Sequence, residues 1–378
     1  HNALIGVLDR HQEGLARQTL SGHHLLYGHS GTGKTLVLVH KAALLLRYQP
    51  GVRRILFCCY NLALVRYIER LLADLRVPLG DPGVDVLPFY TLCEQLTGEK
   101  VEHAMPGGTE YYQILVDDAL ARIGKLEPTQ RYDAILVDEG QDFSDPMLKV
   151  LVGLLNPASN RLTIALDDNQ NLYGHTRNWK AIGVTVRGRI KTLHTAYRAT
   201  EQLNRFCAQL IGLTPRESGP QVDLFPPTPA LTGPVPELRA FASVPELLDW
   251  LREQVRAWID DGHPANEIAV LYVSRNLPGH PGQLPEGIEQ ALRGCGIHCQ
   301  WISRDVADKR LYDTTTDAVT ISTVHSAKGL DYARIFLLGL DRESDARWDT
   351  GSLTRLAYAG ATRARRELFI PYLKRTAL

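Results

Sequence analysis

Net charge is the first thing this chain lacks: 42 Lys and Arg balance 42 Asp and Glu over 378 residues. That balance excludes a global field drawing the chain onto a polyanion, so any nucleic-acid site has to be local. Long apolar runs are missing too, and without about twenty consecutive apolar residues no helix can span a bilayer. The N-terminus shows no basic, apolar, small-residue succession of a signal peptide. A soluble, cytoplasmic protein with no membrane partner is expected. Cysteines are few, and Cys58, Cys59, Cys93, Cys207, Cys295 and Cys299 show no framework spacing, which argues against a disulfide scaffold and suits reduced thiols. Cys295, His298 and Cys299 lie close in sequence, but a fourth zinc ligand is missing, so buried or incidental thiols are expected there. Internal repeats and low-complexity tracts are absent as well.

What is present is a 44% hydrophobic chain long enough for two domains of ordinary size. Short apolar runs at Arg54–Cys59, Ala134–Asp138, Leu162–Leu166, Ile268–Tyr272 and Val319–Ser322 alternate with longer helical patterns. Alternation of that kind predicts an α/β fold of parallel sheets covered by helices. Seven prolines between Leu213 and Leu238 predict a surface connection, preceded by a helix near Thr200 to Ile211. A second loop is expected from Leu277 to Pro285.

Gly28 to Thr35 reads Gly-His-Ser-Gly-Thr-Gly-Lys-Thr and fits G-x-x-x-x-G-K-[ST] after the apolar run Leu25-Leu26-Tyr27. The pattern predicts a phosphate-binding loop between a strand and a helix. In it Gly28, Ser30, Gly31, Thr32 and Gly33 let backbone N–H groups turn around phosphates; Lys34 reaches the β/γ oxygens and the Thr35 hydroxyl ligates Mg²⁺. Further on, an apolar strand runs into Asp138-Glu139-Gly140-Gln141-Asp142. Adjacent carboxylates at a strand tip suit magnesium-dependent hydrolysis, with Asp138 holding the metal and Glu139 polarising the attacking water.

These paired elements resemble superfamily 1 helicases of the UvrD/Rep type, and further segments extend the resemblance across nearly the whole chain. Gln12 stands in the place of the family's adenine-reading glutamine, and Gln170 in the segment Leu166 to Tyr173 resembles the third motif's γ-phosphate sensor. Tyr197-Arg198 resembles the fourth motif, which implies adenine stacking and a γ-phosphate contact; Arg363 matches the sixth motif's arginine finger. Thr323 to Tyr332 reads like the family's T-x-H-x-x-K-G-L-E pattern, with Gly329 and Asp331 on the nucleotide side and Asp331 in place of the usual glutamate. Strand contacts are implied for Tyr60, Asn61, Tyr90, Tyr173, Thr323 and His325. Two departures stand out. Leu36 replaces an adenine-side arginine, and Gly174-His175-Thr176 replaces an aromatic and an arginine that Arg177 and Trp179 could substitute if the loop folds back.

The resemblance implies two RecA-like lobes, 1–195 and 196–378, with ATP and Mg²⁺ held between them and 3′-to-5′ movement on single-stranded DNA. Only about fifty residues separate Tyr90 from Asp138, room for a short insertion at about 95–128 but not for the large accessory subdomains of relatives. The expectation is a compact motor core. His1 in place of an initiating Met fits a processed, tag-derived or excised chain, and a fused or partner nuclease domain is compatible with it. Two other readings stay open: an ATP-switched binding module of a larger protein, and a motor on RNA.

Overall fold

The computed structural model describes residue 8 and residues 10–18, 21–29, 31–99, 108–167, 177–186, 188–193, 199–210, 212, 231–275, 284–340 and 350–373. The chain divides into two compact units, His1–His194 and Thr195–Leu378.

In the first unit the order is α1 (Arg10–Gln18), β1 (His23–Gly28), α2 (Lys34–Tyr48), β2 (Arg54–Cys59), α3 (Val65–Asp74), β3 (Gly83–Pro88), α4 (Phe89–Thr97) and α5 (Gly108–Ile123). It continues with β4 (Ala134–Val137), α6 (Asp145–Gly153), β5 (Arg161–Leu166), α7 (Trp179–Ile182) and β6 (Ile190–Leu193). The six strands form one sheet in the order β3-β2-β4-β5-β1-β6, with every pairing parallel. Parallel strands need crossovers that place helices on the faces, so the inner ones are buried on both sides and read as continuous apolar runs. All four residues of β4 are buried accordingly. Among the buried polar groups, Lys41 on α2 donates through Nζ to Thr163 Oγ1 on β5 at 2.6 Å. Burial holds that amine well below its ordinary pKa.

The second unit runs α8 (Glu201–Leu210), β7 (Glu237–Ala240), α9 (Val244–Asp260), β8 (Ile268–Tyr272), α10 (Leu284–Arg293) and β9 (Cys299–Trp301). It ends with α11 (Val306–Leu311), β10 (Val319–Thr323), β11 (Tyr332–Leu338), α12 (Thr350–Ala361) and β12 (Ala364–Tyr372). Its sheet is also six-stranded and parallel, in the order β7-β12-β11-β8-β10-β9. The expected α/β class with two helix-covered parallel sheets is what the chain adopts. Among the described residues no helix is long and apolar enough to cross a membrane.

Three boundaries differ from the sequence reading. β4 ends at Val137, one residue short of Asp138, although the Asp138 N–H still donates to Cys58 O at 3.0 Å. The loop expected to reach Pro285 stops at α10, whose second residue is Pro285; proline is tolerated in a first helical turn, where its missing N–H has no acceptor to lose. Of the proline-rich stretch, 213–230 lies outside the described residues, and its last two positions, Glu237 and Leu238, open the edge strand β7.

Candidate nucleotide and strand sites

In an open parallel sheet, loops at the carboxyl ends of the strands bind ligands. Each described candidate of the first unit apart from Gln12 follows such an end. Strand order β3-β2-β4-β5-β1 therefore lays out Tyr90, Tyr60, the pair Asp138–Glu139, Asp167 and the phosphate loop in sequence along one edge. β4 and β1 are separated by β5, about 10 Å axis to axis at the usual strand spacing, so the loop has to fold over β5 to meet Asp138. It does: Thr35 Oγ1 donates to Asp138 Oδ2 at 2.6 Å.

The loop is held by its own backbone. Lys34 Nζ donates to Gly28 O at 2.7 Å and to His29 O at 2.9 Å, and Thr32 Oγ1 donates to His29 O at 2.8 Å. Gly31 and Gly33 take φ of +79° and +85°, the left-handed region that side chains resist. At Gly33 a Cβ would also stand 2.5 Å from Gln12 Nε2. Gln12, on α1, is buried and its Nε2 donates to Thr32 O at 2.9 Å, so the proposed adenine reader lies against the loop. Ser30 lies outside the described residues.

Asp138 is 1% exposed. Burial, and next the charge of Glu139, pushes its carboxyl up to about 6, against the opposing pull of the Thr35 hydroxyl and Lys34. A buried carboxylate raised in this way, with a hydroxyl beside it, is a donor set suited to a hard divalent cation, which would lower it again. Glu139 adopts φ +51°, ψ +44°, a left-handed conformation sparsely populated by residues other than glycine. Its Oε2 accepts a hydrogen bond from Gln141 Nε2, and Gln141 Oε1 accepts from the Asp167 N–H at 3.1 Å.

On the aromatic flank Tyr60 and Tyr90 lie edge to face with centroids 6.0 Å apart. Asn61 is buried, and its Oδ1 accepts from the Ala63 N–H at 3.2 Å, capping the short turn at Leu62–Leu64. Arg177 is directed into the protein: its guanidinium donates to Gly140 O and Phe143 O and pairs with Asp145 at 3.0 Å, beside the Trp179 ring.

In the second unit the candidates occupy opposite edges of the sheet. Thr323 ends β10 at its carboxyl edge, where its Oγ1 accepts from the Ser326 N–H at 3.1 Å and the exposed His325 follows. Partial shielding of the ring, then the charges of Lys328 and Lys309, lowers the His325 pKa. Asp331 and Arg363 precede the neighbouring strands β11 and β12 at their amino edge, with Arg363 Nη1 3.8 Å from Asp331 Oδ1. Arg363 Nε also donates to Ala359 O at 3.2 Å. Gly329, at φ +80°, lies in the eight-residue crossing from one edge to the other. Gln170, Tyr173, Tyr197 and Arg198 lie outside the described residues.

Comparison with known proteins finds a family match in each unit. Residues 11–176 match the AAA domain family, and residues 303–375 match the UvrD-like helicase C-terminal domain family. The chain belongs to the UvrD-like superfamily 1 helicases. A 67-residue stretch is 40% identical to DNA helicase II of Escherichia coli (strain K12), covering 16% of this chain and 9% of that protein. The ATP-dependent DNA helicase Rep of Buchnera aphidicola subsp. Acyrthosiphon pisum is 32% identical over 80 residues, 19% of this chain and 12% of that one. PcrA of Bacillus subtilis (strain 168) is 38% identical over 69 residues, 16% and 9%. The matched stretches thus span only 9–12% of these relatives. Among solved structures, the C-terminal domain of a possible DNA helicase from Lactobacillus plantarum WCFS1 is 16% identical, covers 47% of this chain and 88% of that one, and gives a TM-score of 0.33.

In this UvrD-like chain two contributors were not singled out from sequence. Gln141 ties the Glu139 carboxylate to the backbone after β5; the signal available was a glutamine two residues past Glu139 in a segment otherwise turning toward the core. Tyr112 joins the aromatic flank from α5, and nothing in the local pattern announces so distant a contact.

Proposed function

We propose that this UvrD-like chain is an ATP-hydrolysing motor that moves along single-stranded DNA. The observation that carries the reading is the 2.6 Å contact of Thr35 with the buried Asp138, beside Lys34 and one residue before Glu139. Thr35 and Asp138 would hold Mg²⁺, and Lys34 would meet phosphate oxygens. Bound Mg²⁺ and ATP supply the phosphoryl group and neutralise its developing charge. Glu139 takes a proton from the attacking water and Gln141 aims the Glu139 carboxylate; positive charge from Arg198 and Arg363 is what the family resemblance alone implies. The 3′-to-5′ direction rests on likeness to the family alone.

ATP turnover is expected to rise at least about tenfold when oligodeoxythymidine is added, a rate gain equivalent to about 1.4 kcal/mol, and to rise less with oligouridine. No stimulation by DNA or RNA of any length would remove the motor and leave an ATPase. Arg177, engaged within the protein, favours a second reading in which nucleotide merely switches affinity for a strand. Dye displacement from the end of a single strand separates the two, because a switch releases no dye in proportion to strand length.

A further inference from the structure

We propose that α5 supplies a third loop's worth of contacts to the strand site: Tyr112, with Tyr111 beside it, extends Tyr60 and Tyr90 into a platform on which unpaired DNA bases stack. The inference rests on the single-strand motor reading above. Tyr90 and Tyr112 have ring centroids 4.4 Å apart at 47°, and Tyr111 lies 6.4 Å from Tyr112 at 75°. None of these pairs is a parallel stack.

Beneath them is a floor of a different kind. Phe89 and Phe143 are fully buried and meet edge to face at 5.7 Å; Phe143 also touches Tyr60 at 5.9 Å, and Phe89 touches Tyr90 at 5.5 Å. The phenylalanines fill the core while the tyrosines stand at its margin, Tyr60 being 39% exposed and the other three half-buried. Amphipathic rings suit that margin, where a hydroxyl can stay wet while the ring face meets a base.

Position and charge both favour bases over phosphates. α5 is fixed in the core by Leu115, Val116, Ala119 and Ile123, and Tyr111 and Tyr112 stand one turn earlier on the same face, where that stripe leaves the core. Glu94 lies near Tyr112. A carboxylate there repels the phosphate backbone, so the ring is placed for a base face. Floor and catalytic turn are also one piece of chain, since Phe143 follows Glu139 by four residues and its carbonyl oxygen holds Arg177.

The experiment is single-strand binding read by 2-aminopurine placed within oligodeoxythymidine, for the unmodified chain, Tyr112→Phe and Tyr112→Leu. Leucine continues the apolar stripe, so the helix keeps its packing while the ring is lost. Tyr112→Leu is expected to weaken affinity by about fivefold or more and to change the 2-aminopurine signal, as loss of one stacked base predicts; Tyr112→Phe keeps both. Equal affinity of a folded Tyr112→Leu chain overturns the proposal. If that variant melts early, cross-linking of 5-iodouracil-substituted single strands to the unmodified chain decides instead. Adducts within 108–123 support the platform, and adducts confined to the segments of Tyr60 and Tyr90 overturn it. Absence of any single-strand binding would sink the motor reading itself, a result distinct from both.

Discussion

Glu139→Gln is expected to lower ATP turnover at least about 100-fold, the usual worth of a positioned general base, while nucleotide affinity stays within a few-fold. The reason lies in what the substitution keeps. A glutamine has the shape of the glutamate, and its amide oxygen can still accept from Gln141 Nε2, so the turn from Glu139 to Asp142 keeps its contact. Thr35, Asp138 and Lys34, the groups assigned to metal and phosphates, are untouched. Only the basicity is gone. Phosphate release, together with titration by a fluorescent ATP analogue, checks both halves; turnover within tenfold of the unmodified chain would mean that another residue activates the water.

Gln141→Ala makes the companion measurement. It removes the bond to Glu139 and the acceptor for the Asp167 N–H together, so the Glu139 carboxylate loses its aim while keeping its charge. A fall in kcat of about tenfold with little change in KM is expected, the pattern of an interaction made chiefly in the transition state. Added to Glu139→Gln, the second substitution should cost almost nothing further, because residues acting through one another are not additive.

Much of this was legible in the chain because the fold is parallel. Buried strands read as unbroken apolar runs, and functional residues follow their ends, so Cys59, Val137, Leu166 and Thr323 could be placed at strand ends or within a residue of them. Strand order was not legible. Local pattern says where β4 ends but not that β5 separates it from β1, and only that order explains why the loop reaches across to Asp138. Conformation at Glu139 was hidden too, since a left-handed glutamate between Asp138 and Gly140 is imposed by the turn and not by propensity. Gly140 is held for a related reason: a Cβ there would lie 2.3 Å from Ile164 Cγ2 on the neighbouring strand. Tyr112 illustrates the remaining gap, a ring whose partner Tyr90 belongs to another helix.

Asp138→Asn is expected to abolish magnesium-dependent turnover and yet stabilise the nucleotide-free chain at pH 7.5 by about 2–3 kcal/mol, from 1.36 kcal/mol per pKa unit. In the folded chain burial and Glu139 raise the Asp138 carboxyl from 3.8 to about 6. Between those values the folded state binds more protons than the unfolded state, so this group's contribution falls as pH rises. Below pH 3.8 it costs nothing; above 6 its full penalty is present. Asparagine is neutral throughout and can still accept from the Thr35 hydroxyl. The gain should therefore be large at pH 7.5 and shrink toward zero near pH 4. A second group opposes this trend. His24 Nε2 donates to Ser21 O, its Nδ1 is buried without a partner, and burial lowers its pKa from 6.5 to about 4. There the unfolded state binds more protons, so His24 contributes stability that is fully present above pH 6.5 and lost as pH falls toward 4. In the unmodified chain the two slopes partly cancel. Removing the Asp138 titration exposes the other, and acid sensitivity between pH 6.5 and 4 should steepen in Asp138→Asn even as the neutral-pH midpoint rises. Urea unfolding at pH 4, 5.5 and 7.5, without nucleotide or Mg²⁺, measures both. A midpoint that falls at pH 7.5 would mean that the charge on Asp138 is already compensated within the folded chain, by the Thr35 hydroxyl and Lys34, and that the site does not wait for a cation to relieve it.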